Sequence, residues 1–356
     1  MRLLQRRWVR ASLLGLVGAL VGWAGTAVPS YEGDEAASIM SAERTLPNLF
    51  AMAGNVDAVH TAYYLFLHGW IRLFGTSELA TRAPSAIAVG VLVAGVVVMA
   101  DRLGGARLGI VAGVLTIVLP RVTHMAAEAR SYAFAAAAVA WIGVLVVHLL
   151  GSDRGSRDPG RRGRRAGLLW ALLGVAIAAT SWLFLYCVLL VAVVGIAVLA
   201  LRRDLWRAWL GMALLAAALT SPMVVIAYGQ RGQLSPLLLR TAVTPESVLV
   251  TPWFMDLWPA VVGGALAVAG VAVSIARRRD RAAVVLGLAG SVAPISLLLL
   301  AGLVTPLYSS RYPGFSVPFV ALLMALGVVR IAELVRPPAL RVATGAALVA
   351  VAVAAA

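Results

Sequence analysis

Apolar stretches of membrane-crossing length follow one another along nearly all of this 356-residue chain, and no other feature narrows its fold as much. A helix needs roughly 20 mostly apolar residues to cross about 30 Å of hydrocarbon, and runs of that order lie at 11–28, 83–100, 106–120, 131–150, 208–228, 258–276, 283–304 and 315–333. The run 166–201 is too long for one crossing and is flanked by arginines on both sides, which demands an even number of crossings. A hairpin turning near Thr180 and Ser181 meets that demand. The last stretch, 341–356, is short and closes on Ala354, Ala355 and Ala356, so it reads as an eleventh span cut short. Residues 1–28 share features with a secretory signal, but their 18-residue apolar segment is long for one and reads as a retained anchor.

The expected fold class is therefore an all-α polytopic membrane protein of about 10–11 transmembrane helices, a single integral unit over residues 1–356. Only 13% of residues are charged, about half the density of ordinary soluble domains, and 62% are apolar. That excludes a soluble enzyme, a disordered chain and a nucleic-acid-binding domain.

All 30 basic residues are arginines, and their placement fixes an orientation. With the N-terminus inside, the interior segments hold 22 arginines against six acids, and the exterior segments eight against nine. This is the positive-inside asymmetry, so the net charge of +15 reports topology and calls for no nucleic-acid partner. The block Arg161, Arg162, Arg164, Arg165 reads as a topology anchor within reach of anionic lipid headgroups. The single cysteine, Cys187, excludes a disulfide framework.

Two exterior segments are longer than a connection requires: 29–82 and 229–257. Chemistry concentrates on loops held by a rigid scaffold. In the first, Asp34–Arg44 reads as a short helix, and Pro47 and Gly54 interrupt the stretch beyond it. Val59, Tyr63, Phe66, Leu67, Trp70, Ile71 and Phe74 then recur at helical spacing with polar residues between them, the pattern of a helix lying in the interface. In the second, Tyr228, Arg231, Arg240, Trp253, Asp256 and Trp258 would border a cleft, and the two tryptophans read as interface anchors or as platforms for a sugar.

Charged groups near membrane depth are costly and mark function by default. Four exterior clusters qualify. Tyr31, Glu32, Gly33, Asp34 and Glu35 put three carboxylates within four positions, which can raise a pKa or hold a cation. Glu128, Ala129, Arg130, Ser131 and Tyr132, and again Tyr308, Ser309, Ser310, Arg311, Tyr312 and Pro313, each set an arginine and a tyrosine at the outer start of a span. A guanidinium fork beside free helix N–H groups suits a phosphate, and two such sites on one face suggest a lipid phosphate. Finally, Asp57, His60 and His68 lie in the interfacial helix with Glu78 and Arg82 beyond it, and Asp57 and His60, three apart on one helix face, could chelate a metal with Glu35.

These residues, in this order, resemble a known family. The acidic pair after the first span, the segment from His60 through Tyr63, His68, Trp70 and Arg72 to Gly75, then Ser77, Glu78, Arg82 and Ser85, Glu128-Ala-Arg-Ser-Tyr132 and Arg311-Tyr312 are similar to the polytopic C-type glycosyltransferases. The likeness is to the protein mannosyltransferase and aminoarabinose transferase branch in its bacterial mannosyltransferase form. It departs from that pattern where Thr61 and Ala62 stand in place of a Pro-Pro after the histidine. The resemblance implies an inverting transfer of a sugar, most simply mannose, from a polyprenyl-phosphate donor to a hydroxyl on an acceptor protein, lipid or glycan. The site would lie on the extracytoplasmic side of the plasma (inner) membrane. It implies Asp34 as general base, Glu35 as the residue positioning acceptor or cation, and Arg130 and Arg311 as holders of the leaving phosphate. Tyr132, Tyr312, His60 and Glu128 belong to the same binding set, and a divalent cation is an optional cofactor. The competing expectation is a transporter or flippase of lipid-linked sugars; transporters place polar sites near the midplane, where these spans carry no charge.

Overall fold

Long apolar segments without water can satisfy their backbone only as helices, and the described chain contains helices and turns and no strand. A computed structural model describes residues 2–24, 26–27, 29–151, 159–233, 243–304, 308–335 and 338–355. Seven of its helices are long and apolar enough to cross a membrane, or eight when one bent pair is taken as a single span.

The first helix, α1 (Arg2–Trp23), starts earlier than expected and packs on α5 (Glu78–Gly104) and α6 (Ala106–Val118). Gly15 and Gly90 make that approach possible, because a Cβ on either would come within 2.8 Å of the facing backbone oxygen. α5 also starts earlier, at Glu78, where Ser77 caps it by accepting the Ala80 N–H. Glu78 and Arg82 thus belong to a spanning helix and not to the loop before it.

Between α1 and α5 the chain lays down α2 (Gly33–Ala42), α3 (Leu46–Asn55) and α4 (Thr61–Phe74). Pro47 does not break this region. It occupies the first turn of α3, where a missing N–H removes no helical bond.

α6 ends at Leu119, whose extended backbone precedes Pro120, and the short α7 (Pro120–Ala126) leaves at 63°. α8 (Tyr132–Gly151) follows. The long run 166–201 does break, but later than expected: α9 (Pro159–Leu183) gives way at extended Phe184 to a 3₁₀ turn, Leu185–Leu189, and then to α10 (Leu190–Leu201). Thr180 and Ser181 do not turn the chain, because their hydroxyls bond back to the Ala176 and Ile177 carbonyls inside the helix.

The second half comprises α11 (Trp206–Gly229), the short α12 (Pro245–Leu249), α13 (Leu257–Ala276), α14 (Arg281–Gly302), α15 (Val317–Ala332) and α16 (Pro338–Ala355). The most enclosed is α15, packed among α6, α13, α14 and α16. Gly270 and Gly327 let α13 and α15 meet with no room for a Cβ.

Polar ties gather the expected interior ends of these helices at one end of the bundle. Arg7 and Arg10 bind Asp101 at 2.6 and 2.5 Å, Arg202 donates to the Leu150 carbonyl at 2.9 Å, and Arg281 to that of Ala200 at 2.7 Å. Arg330 grips Asp280 at 2.7 Å. Arg161, Arg162, Arg164 and Arg165 lie at the start of α9, and Arg240 lies outside the described residues.

Candidate functional site

Four helix termini at the opposite end supply the site, and one buried ion pair joins them. Glu35, in the first turn of α2, is 1% exposed. Its Oε1 accepts from Arg82 Nε and from the Ala129 N–H at 2.8 Å each, and its Oε2 from Arg82 Nη2 at 2.7 Å and the Glu32 N–H at 3.1 Å. Arg82 spends its remaining donors on the carbonyls of Thr26, Pro29 and Ser30 at 2.6–3.2 Å. All five guanidinium N–H groups are used, and the Tyr31 ring lies against the same cation. Burial pushes the Glu35 pKa up, but the Arg82 and backbone donors outweigh it and hold it below the ordinary value.

Glu35 therefore stands elsewhere than expected. It faces inward as the tie between α1, α2, α5 and the bend before α8, and it is saturated. Neither an acceptor nor a cation finds a free lone pair there.

Asp34, its neighbour, faces out of the same helical turn, with half its side chain exposed. Arg311 Nη1 donates to Asp34 Oδ2 at 3.0 Å, and Arg130 Nη2 stands 3.9 Å from the same oxygen. The two arginines expected to share a phosphate thus converge on one point. Arg130 is oriented by bonds from Nη1 to the Asp34 carbonyl and the Ser38 hydroxyl at 3.3 and 3.2 Å, and its Nη2 lies 3.4 Å from His60 Nε2. Beside it, Tyr132 presents its ring at 5.8 Å. Arg311 Nη2 also reaches Glu32 at 3.8 Å.

His60 is held on the Arg130 side of this group. Burial, and then the Arg130 cation, depress its pKa to about 4 against the pull of Asp57 and Asp34, so it is neutral near pH 7. Asp57 sits in a left-handed turn (φ 61°), accepts from the Tyr64 hydroxyl, and is 3.8 Å from His60. Gln230 at the end of α11 fixes this turn from the side, accepting the Ala58 N–H and donating to the Ala53 carbonyl at 2.9 Å each.

The expected metal set of Glu35, Asp57 and His60 is not assembled, since Glu35 is committed to Arg82. A different group is. The ligand atoms of Glu32, His124 and Glu128 all lie within 4.8 Å of one another, with His124 Nε2 3.0 Å from Glu128 Oε1. Pro120 makes this possible by swinging α7 across the end of α6, so that His124 and Glu128 face Glu32. One imidazole and two carboxylates suit Zn²⁺ or Mn²⁺ and leave coordination positions open; the donor set fits a divalent cation.

Sequence reasoning misplaces Arg82 and misses Phe184 and Tyr186. Arg82 reads as a loop residue in the sequence, although an ionisable group beside a span is itself a signal. Phe184 and Tyr186 are hidden inside an apolar run. The break after α9 places Phe184 against Tyr132, Tyr186, Tyr312 and Phe315 at ring separations of 5.4–6.2 Å, and stacks Tyr186 on Tyr312 at 4.4 Å. Trp253, by contrast, is no sugar platform, because it is buried and donates to Ser316 at 2.8 Å. Trp258 is exposed on the helix surface.

No family model and no curated protein matches the chain in sequence. Its fold matches solved structures. The oligosaccharyltransferase of Archaeoglobus fulgidus, solved with a tethered acceptor peptide, aligns at a TM-score of 0.58 and 13% identity over 97% of this chain and 55% of its own. A structure of that protein with Zn and sulfate aligns at 0.55 and 12%, over 96% and 52%. ArnT from Cupriavidus metallidurans bound to undecaprenyl phosphate aligns at 0.56 and 19%, over 91% and 60%. The chain spans a little over half the length of these proteins and shares their fold.

Proposed function

We propose that the protein is a membrane glycosyltransferase that moves a sugar from a polyprenyl-phosphate donor to a hydroxyl acceptor, with Asp34 as general base and Arg130 and Arg311 as the phosphate cradle. The observation that carries this reading is the convergence of both guanidiniums on Asp34. A site that transfers a glycosyl group from a phosphate needs fixed positive charge where the leaving phosphate gains negative charge. It also needs a base beside the attacking hydroxyl. Both stand here within one guanidinium contact of each other.

The reaction is a single displacement. The acceptor oxygen attacks the anomeric carbon from the face opposite the phosphate as its proton passes to Asp34. The bond from that carbon to the phosphate oxygen breaks with its electron pair on the phosphate, and configuration inverts. No acid is required, because the phosphate is already a fair leaving group between two arginines. His60, neutral and against Arg130, keeps that guanidinium aimed without competing for the anion. A divalent cation held by Glu32, His124 and Glu128 would add positive charge next to the phosphate.

The place of the site, at the end of the bundle opposite the arginine-rich segments, favours the extracytoplasmic side of the plasma (inner) membrane, with the lipid tail between spans and the acceptor protein, lipid or glycan arriving from water. Mannose as the sugar rests on the resemblance of the sequence alone. The test is release of polyprenyl phosphate from polyprenyl-phosphate-mannose, in the presence of bacterial envelope fractions, by wild type and by Asp34→Asn. Release that collapses in the variant supports the reading. Negligible release from both, across several sugar donors and with divalent cations supplied, overturns it in favour of lipid movement.

A further inference from the structure

The chain leaves α3 and enters α4 across residues 56–60, and that turn does not satisfy its own backbone. The last carbonyls of a helix and the first N–H groups of the next have no partners inside those elements. Here the Met52 carbonyl accepts the Val56 N–H at 2.8 Å, while the Ala53 carbonyl and the Ala58 N–H, which opens the 3₁₀ turn Ala58–His60, are both met from outside. One side chain meets them: Gln230 Nε2 donates to the first and its Oε1 accepts from the second, at 2.9 Å each. A carboxamide offers a donor and an acceptor side by side, which neither a carboxylate nor an ammonium does. Between the two tied groups stands Asp57 in its left-handed conformation (φ 61°), which persists in a residue other than glycine only where the surroundings hold it.

The place of this turn decides how the phosphate cradle is aimed. It ends in His60, whose Nε2 lies 3.4 Å from Arg130 Nη2 and 3.8 Å from Asp57, and Asp57 is itself held by the Tyr64 hydroxyl. A contact of 3.4 Å stands at the outer limit of a hydrogen bond. A displacement of the turn by a few tenths of an ångström therefore makes or breaks it. The tie is also rigid at its far end, because the Gln230 N–H bonds to the Ile226 and Ala227 carbonyls and so belongs to the last turn of α11.

We propose that Gln230 is a positioning residue of the phosphate cradle, holding the turn 58–60 so that His60 keeps the Arg130 guanidinium aimed at the lipid phosphate. This role rests on the transferase reading above and adds to it a residue from α11, the helix that leads into the second long exterior segment. Gln230 touches neither the phosphate nor the acceptor; it acts through His60.

The experiment measures binding of undecaprenyl phosphate in detergent micelles, by intrinsic tryptophan fluorescence, to wild type, Gln230→Met, His60→Ala and the double variant, with thermal unfolding of each. Gln230→Met keeps the length of the side chain and removes both bonds. It should weaken binding by roughly three- to tenfold beside an intact His60 and by less than about twofold in His60→Ala, because a residue acting through another has little effect once that other is gone. The imidazole resonance of His60, identified by its loss in His60→Ala, should shift in Gln230→Met while that of His148 stays in place. Where Gln230→Met lowers the unfolding midpoint, Gln230→Glu, which keeps the acceptor for the Ala58 N–H, repeats the cycle. Unchanged affinity or an unmoved His60 resonance overturns the proposal and leaves the transferase reading standing. Equal losses in the two backgrounds would mark a general loosening of the loop and overturn it too. Failure of wild type to bind the lipid at all overturns the transferase reading, and this proposal with it.

Discussion

Arg311 donates to the carboxylate of Asp34 at 3.0 Å across 277 residues of sequence. The group assigned as base therefore occupies the place assigned to the phosphate. On the proposed mechanism the two anions would compete for the same guanidiniums, and arrival of the donor would free Asp34 for the acceptor hydroxyl. Asp34→Asn removes the competitor and should bind undecaprenyl phosphate several-fold more tightly than wild type, while transfer falls by roughly 10²–10⁴-fold with the loss of the base. Glu32→Gln, whose carboxylate is farther from Arg311, should change affinity less. Titrations showing unchanged or weaker lipid binding in Asp34→Asn would contradict this exchange.

The Glu35–Arg82 pair predicts a different phenotype. Both side chains are buried and every donor and acceptor is used, so removing one partner strands a charge. Such losses cost about 3–5 kcal/mol. Glu35→Gln and Arg82→Lys should both lower the unfolding midpoint in a detergent denaturation series. A lysine brings one compact ammonium where the fork serves Glu35 and three carbonyls. Because the Glu35 pKa is held below its ordinary 4.5, its stabilisation is complete above that value and is lost as pH falls through the depressed one. A Glu35→Gln protein as stable as wild type at neutral pH would refute the pair's role.

His60 titrates with the opposite chemistry but the same sign. Its folded pKa of about 4 lies below the ordinary 6.5, so an unfolded chain takes up the proton first as pH falls. The neutral imidazole contributes stability that is fully present above pH 6.5 and is lost progressively toward pH 4. Midpoints measured across that window should fall in wild type and fall less in His60→Asn. Parallel curves would show that some other group governs the acid response.

Much of this fold is legible in the sequence because a bilayer leaves the backbone few options, and the apolar runs mark most of the long helices, although α1 and α9 begin well ahead of their runs and seven or eight helices, against the expected 10–11, are long and apolar enough to cross. The places where reading fails are those where tertiary contacts decide. Thr180 and Ser181 look like a turn in sequence, yet in a helix their hydroxyls have carbonyl partners, and the turn passes to Phe184. Asp34 and Glu35 look interchangeable as adjacent carboxylates. Successive positions on α2 point about 100° apart, so one faces the arginine cradle and the other Arg82, and only the placement of α5 says which is which. The metal-ligand set is misassembled in sequence for the same reason, because His124 approaches Glu32 only through the bend at Pro120.

That bend supports the last prediction. Glu32, His124 and Glu128 come from two segments separated by about ninety residues, and His124 already lies 3.0 Å from Glu128. One nitrogen and two oxygens on converging backbones favour Zn²⁺ or Mn²⁺ over Mg²⁺, which demands near-ideal octahedral oxygen geometry. Calorimetric titration with Zn²⁺ should show one site in wild type and a loss of roughly 10- to 100-fold or more in affinity in His124→Ala. Thermal unfolding provides a readout independent of activity, since a cation bound only by the folded state at 100 times its dissociation constant adds about 2.7 kcal/mol. Stabilisation by Zn²⁺ that persists undiminished in His124→Ala would place the cation elsewhere on the protein and remove this cluster from the site.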